Sequence, residues 1–377
     1  MKYCIINGKI VLENEVVKKN LVIEDDKIIA ISKEVLDDAT IVDAQGMYVS
    51  PGFIDVHVHG KNGSDTMNDT FEDINNISVS SLKTGVTGFL PTTMTQSVDA
   101  TYRAIKNVRD HIDQVEGSKI LGIHMEGPFF NESHKGAQPG EFLQLPSIEN
   151  YQELVKDCGD KVVLLSLAPE LEGSHELTSY LVDKGIIVSI GHTAATYEQA
   201  KAVVDLGANH ATHTYNAMTP LTHRAPGVVG LAMDCQDVYA ELILDGHHVS
   251  LPAARILYQT KKEHLVLVTD SMEACMKKEG KYQLGGQDVF VKDHQARLID
   301  GTLAGSVLCM NHAVKNAMDF LGVDIVEAVK LASLNPANSI NMGQSIGSIA
   351  VGKKADIVIF DENVDIKHAF VDGQMKF

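Results

Sequence analysis

Eight apolar, β-branched segments separated by stretches of helical period constrain this chain more than any other feature. The segments are Phe53–Val58, Gly88–Pro91, Ile120–Met125, Val162–Ala168, Ile186–Ile190, His210–Thr214, Val238–Leu244 and Leu265–Thr269. Runs rich in Val, Ile and Leu read as strands buried on both faces. Helical-period runs such as Glu198–Asp205 and Pro252–Lys261 fall between many of them. Parallel strands need a long crossover, usually a helix, so eight such units predict a (β/α)8 TIM barrel in the α/β class. A doubly wound sheet is the alternative, but no Gly-rich dinucleotide turn follows the first strand.

The two ends of the chain have a different rhythm. Lys2–Asn7, Lys9–Leu12, Asn20–Glu24, Lys27–Ile31, Thr40–Asp43 and Met47–Ser50 read as short strands, several separated by turn residues such as Asn7-Gly8 and Asp25-Asp26. Ile357–Phe360 and Ile366–Val371 read the same way. Neither end is large enough for a stable sheet alone. The expectation is a small β-sandwich domain formed from both termini, residues 1–51 plus 345–377, around a barrel spanning 52–344. Residues 276–305 break the barrel rhythm and read as strands with turns at Gly285-Gly286 and Asp300-Gly301, a flap beside the mouth of the barrel.

Active sites of such barrels lie at the C-terminal ends of the strands, and polar groups gather there. The first strand ends Asp55-Val56-His57-Val58-His59, and alternation along a strand puts His57 and His59 on one face. Two buried imidazoles side by side are costly unless something lies between them, and a divalent metal is the usual occupant. Glu126 ends the third strand, His192 follows the fifth, His213 lies on the sixth, and Asp270 ends the eighth. Glu126, His192 and His213 suit a hydrolytic metal, which lowers the pKa of water and polarises a carbonyl. Asp270 suits a general base. His57, His59 and Asp270 suit a second metal, with Glu126 bridging. Taken singly, each has a structural explanation: satisfied core histidines, a capping or salt-bridged glutamate, an N-cap aspartate. Their joint occurrence at successive strand ends is what favours the metal.

A net charge of −18 argues against nucleic acid or an acidic membrane as partner. There is no run of about 20 apolar residues, and Met1–Lys9 lacks a signal-peptide h-region. The five cysteines, Cys4, Cys158, Cys235, Cys275 and Cys309, are scattered without a C-x-x-C. That usage fits a reducing cytoplasm and leaves any metal to histidine and carboxylate.

The motifs Pro51-Gly52-Phe53-Ile54-Asp55-Val56-His57-Val58-His59-Gly60, His124-Met125-Glu126-Gly127-Pro128, Gly191-His192-Thr193, His213-Thr214-Tyr215-Asn216-Ala217-Met218, Val268-Thr269-Asp270 and Leu303-Ala304-Gly305-Ser306 resemble the amidohydrolase superfamily. Ser333-Leu334-Asn335-Pro336-Ala337 through Gly347 and Lys354-Ala355-Asp356 agree, so the resemblance covers nearly the whole chain. Within the superfamily the motifs are most similar to the group that deacetylates N-acetylglucosamine 6-phosphate. Many binuclear members use a carboxylated lysine after the fourth strand. Here Leu167-Ala168-Pro169-Glu170 has none, and the deacetylase group uses the glutamate after the third. The resemblance implies a metal-dependent hydrolase of amino-sugar metabolism, with one or two divalent metals per chain. Zinc is the first choice, ahead of iron, manganese or cobalt. It implies substrate contacts from Gln138, Asn216, the Ala217 backbone, Arg224, His248 and Leu303, and a homodimer in which Arg224 and His248 reach across the interface. Some members have a His where Gln138 stands. Some lack the pair matching His57 and His59 and use one metal, so the pair predicts a binuclear site here. His134 and His247 receive no role. The galactosamine epimer or another amidohydrolase substrate is the alternative within enzymes, and a non-catalytic scaffold the alternative outside them.

Overall fold

The computed structural model describes residues 1–35 and 38–377. Its centre is a barrel of eight parallel strands: Phe53–Val58, Val86–Thr93, Ile123–Glu126, Val162–Leu167, Ile187–Ile190, His210–Ala211, Tyr239–Ile243 and Leu265–Val268. Each pairs in parallel with the next. Helices between them cover the outside, their starts fixed by side-chain caps. Thr196 and Gln199 form a reciprocal capping box on Tyr197–Asp205, satisfying two backbone groups that the helix itself leaves free. Ser97 and Ser147 cap Val98–His111 and Ile148–Val155.

The eighth strand returns to the first by a different bond pattern. Asp270 N donates to His57 O at 2.9 Å and His59 N to Ser271 O at 2.9 Å. Below them the Asp55 carboxylate replaces a backbone ladder, accepting from Thr269 N at 3.2 Å and Thr269 Oγ1 at 2.6 Å. The seam that closes the barrel therefore joins three of the residues singled out above.

Most of the barrel strands are a residue or two shorter than their apolar runs, and the third and sixth fall furthest short at one end. The third begins at Ile123, because Lys119–Ile120 forms a separate strand against Gly88 and Phe89. Gly122, at φ +145°, separates the two, and a Cβ there would lie 2.2 Å from Val163 Cγ2. The sixth stops at Ala211, because the chain turns sharply at His213, whose φ is +30°.

Strands from the chain ends form two sheets over a second apolar core. One sheet is N-terminal only: Lys27–Ser32, Asn20–Glu24, Lys2–Ile6 and Thr40–Asp43. The other uses both ends: Ile357–Phe360 pairs antiparallel with Tyr48–Pro51 on one side and Ile366–Val371 on the other. Ile5, Leu21, Ile23, Val49, Ile357, Ile359 and Phe370 are all buried between them. Val16–Val17, a strand not apparent in the sequence, extends the second sheet through Ile10 and Val11.

After the eighth strand, Gly280–Leu284, Gln287–Lys292 and Gln295–Arg297 make an antiparallel sheet. It turns at Gly285-Gly286, as the sequence suggests, and at Asp293-His294, which the sequence reading passed over; all four residues have positive φ. Its Leu284, Val289 and Val291 bury against Met94 and Met272 at the barrel rim. Among the described residues no helix is long and apolar enough to cross a membrane.

Candidate active site

Four imidazoles and two carboxylates meet at the C-terminal end of the barrel. Glu126 lies at the centre. Its Oε1 is 3.1 Å from His192 Nε2, 3.1 Å from His213 Nε2 and 3.5 Å from His57 Nε2. Its Oε2 is 3.2 Å from His59 Nε2. Asp270 Oδ1 approaches from the other side, 3.2 Å from His59 Nε2 and 3.5 Å from His57 Nε2. The strand ends thus bring together all six expected ligand residues, all buried.

The ring orientations have identifiable causes. His57 Nδ1 is 2.9 Å from Glu241 Oε2, His59 Nδ1 is 3.2 Å from Thr92 O, and His192 Nδ1 is 3.0 Å from His134 O. Each contact ties up the far nitrogen and turns Nε2 toward the cluster. His134 thereby gains a place: its backbone carbonyl orients His192. His192, His213 and Asp270 all have positive φ, at 50°, 30° and 47°. Such strain in non-glycine residues collects where a fixed side-chain direction matters more than local comfort.

Two observations fit this donor set to a divalent metal. First, His192 Nε2 and His213 Nε2 face each other at 3.1 Å, and His57 Nε2 has no hydrogen-bond partner though buried. Ligand atoms held about 2.0–2.1 Å from a tetrahedral ion are about 3.3 Å apart, close to the separations here. Second, the groups compensate one another only by holding protons. Burial disfavours charge on His59, yet hydrogen bonds to Asp270 and Glu126 raise its pKa to about 9. Burial likewise works against the Asp270 carboxylate, but the neighbouring His57 and His59 bring its pKa down to about 2. A cation supplies the same compensation and displaces those protons.

The cluster forms the floor of a cavity of about 330 Å3, within the range of about 300–1,000 Å3 usual for small-molecule sites. Asn216, Ala217, His248, Leu303 and Gln138 all line it. Leu284 reaches in from the flap sheet. Asp245 fixes His248, accepting from its backbone N at 2.9 Å and pairing with Nδ1 at 2.7 Å. His247 only donates its backbone N to the same Asp245. Gln138 is committed more than its sequence position suggests: its Nε2 donates to Glu126 Oε2 at 2.7 Å and its Oε1 accepts from Thr95 N at 2.8 Å. Arg224 is exposed, outside the cavity lining, with its guanidinium on His223. His248 thus lines the cavity of its own chain, held there by Asp245, and Arg224 lies outside that lining.

Sequence reading missed Glu241 and Glu170. Glu241 is fully buried within the apolar seventh strand. Its one signal is an acid in the middle of an otherwise apolar barrel segment. Glu170, after the fourth strand, accepts from Asn131 Nδ2, Thr193 Oγ1 and Ala194 N, joining the loops on either side of His192.

Comparison with known proteins agrees with this geometry. A model of the amidohydrolase family matches residues 48–376. The chain is 37% identical to an N-acetylglucosamine-6-phosphate deacetylase of Bacillus subtilis, over 98% of this chain and 95% of that one. It is 34% identical to an N-acetylgalactosamine-6-phosphate deacetylase of Escherichia coli O157:H7, over 93% of each. The crystal structure of N-acetylglucosamine-6-phosphate deacetylase from Pasteurella multocida superposes with a TM-score of 0.95 at 32% identity, covering 100% of this chain and 99% of that one. With its barrel, its strand-end cluster of histidines and carboxylates and these relatives, the chain belongs to the amidohydrolase family.

Proposed function

We propose that the protein hydrolyses the acetamide of N-acetylglucosamine 6-phosphate, giving glucosamine 6-phosphate and acetate, with two divalent metals per chain. The observation that carries this reading is Glu126, which presents one oxygen to His192 and His213 and the other to His59. Glu126, His192 and His213 would hold one metal, and His57, His59 and Asp270 the second, with Glu126 shared. The metal supplies Lewis acidity, polarising the acetamide carbonyl and lowering the pKa of water. Zinc, iron, manganese and cobalt all accept such ligands, and zinc is our first choice.

The chain's own residues do the rest. Asp270 takes a proton from the attacking water as the O–C bond forms, then gives it to the amine nitrogen as the C–N bond breaks. Asn216, the Ala217 backbone and His248 hold the phosphosugar, and Leu303 bounds the cavity. Gln138 acts mainly through Glu126, whose carboxylate it orients. We infer that the active form is a cytoplasmic homodimer in which Arg224 of one chain meets the phosphate in the other's cavity. Its exposed guanidinium suits a phosphate better than a lysine would. Arg224→Ala is expected to raise KM about 10–100-fold, the value of a lost charge-assisted hydrogen bond, with kcat little changed. An unchanged KM in steady-state assays would exclude the contact.

The direct test is acetate release from N-acetylglucosamine 6-phosphate and its galactosamine epimer, side by side, on metal-loaded protein. We expect kcat/KM to favour the glucosamine compound at least tenfold. Preference for the epimer transfers the assignment to the activity of the Escherichia coli relative, and hydrolysis of neither leaves another amidohydrolase substrate or a non-catalytic scaffold.

A further inference from the structure

One buried acid touches both halves of the ligand cluster without belonging to either. Glu241 Oε2 lies 2.9 Å from His57 Nδ1 and also accepts from His213 N at 2.9 Å. Its Oε1 lies 3.5 Å from His210 Nδ1 and makes no hydrogen bond. Glu241 is completely buried, and an ionised carboxylate in such a place is retained only where specific partners compensate it. Both of its close partners are expected metal ligands. His57 is one of the second-metal set. His213 belongs to the other set, and of the four ring systems it alone lacks an acceptor on its Nδ1. His213 also stands at φ +30°, a strained value that the bond from its N–H to Glu241 helps to hold.

We propose that Glu241 is a positioning residue for both metals: a single oxygen fixes the tautomer of His57, so that Nε2 faces the cluster, and pins the backbone that aims His213. The strand geometry explains how one residue does both. Glu241 lies in the middle of the seventh strand, and its own carbonyl accepts from Thr214 N at 2.9 Å. The sixth-strand segment bearing His213 is thus held by Glu241 through two bonds, one from main chain and one from side chain. This inference rests on the binuclear reading above, and the experiment separates the two.

Chelator-stripped protein is titrated with Co(II), reading stoichiometry and affinity from the visible d–d absorption, and the metal-free protein is melted alongside. Wild type is expected to bind two Co(II) per chain. Glu241→Met, which keeps volume but offers no strong acceptor, is expected to weaken at least one of the two about 10–100-fold. Its metal-free form is expected to melt somewhat lower than wild type but to remain folded, because the His57 ring and the His213 N–H lose their buried acceptor. Glu241→Gln can present its amide oxygen to His57 and His213 and its NH2 to His210, so it is expected to recover most of the affinity. Two Co(II) in wild type and equal affinities in Glu241→Met overturn this inference alone. So does Glu241→Gln as weak as Glu241→Met, which would make charge rather than geometry the cause. A Glu241→Met chain that fails to fold, or melts far lower with unchanged Co(II) affinity, assigns the residue to the fold. One Co(II) per wild-type chain defeats the binuclear reading itself.

Discussion

Asp270→Asn is expected to lower kcat by about 10²–10⁴-fold, the usual contribution of a positioned general base. That corresponds to roughly 3–5 kcal/mol of transition-state stabilisation. The amide keeps the shape of the carboxylate, and the main-chain bonds of the barrel seam, including Asp270 N to His57 O at 2.9 Å, are untouched. What Asn cannot do is accept the proton that must travel from water to the departing amine. KM should stay near wild type, because the residues assigned to the sugar phosphate lie elsewhere in the cavity. The measurement is steady-state acetate release at saturating zinc, with circular dichroism to check the fold. Turnover within a few-fold of wild type would remove Asp270 from the mechanism.

Glu126→Gln should be at least as damaging, for a different reason. Each oxygen of Glu126 faces imidazole nitrogens, and Oε2 also accepts from Gln138 Nε2 at 2.7 Å. An amide in either orientation directs an NH2 at groups that require an acceptor. Turned one way, it meets the amide of Gln138 donor to donor; turned the other, it faces His192 and His213 in place of a ligand oxygen. Both metals should be weakened together, and activity should fall on the order of 10³-fold or more, as expected when several kcal/mol of Lewis-acid stabilisation is lost. Elemental analysis after extensive buffer exchange, paired with activity, is the check. A full metal complement with activity within tenfold of wild type would show that Glu126 is not shared.

Much of this arrangement was legible in the residues because it depends on local rules. Alternation along Phe53–Val58 puts His57 and His59 on one face whatever the rest of the chain does. Barrel strands end where the site lies, so Glu126, His192, His213 and Asp270 could be collected by position alone. The sandwich was legible for a similar reason, since strands too few to stand alone at each end had to find one another. Illegible features depend on long-range partners. Nothing near Glu241 in sequence indicates that His57, 184 residues away, will meet it. Gln138 occupies a loop position that suggests a substrate contact, and only the folded loop shows its amide clasped between Thr95 and Glu126. The direction of Arg224 was illegible for a related reason: no period sets where a loop residue points.

The pairing of Tyr48–Pro51 with Ile357–Phe360 has a consequence for synthesis. Ile357 pairs with Pro51, so the closing strand emerges 306 residues after the one it covers. At about 5–20 residues per second, that is roughly 15–60 s of translation during which the earlier strand lacks this neighbour. The same earlier strand leads directly into Phe53–Val58 and thus into His57 and His59. An open strand edge is a template for unwanted pairing, so the nascent chain carries an aggregation hazard next to the strand that bears His57 and His59. Anchoring of the strand that leads into His57 and His59 therefore waits until Ile357–Phe360 has been made, and a ribosome stalled before that point leaves a barrel whose leading strand has not been moored.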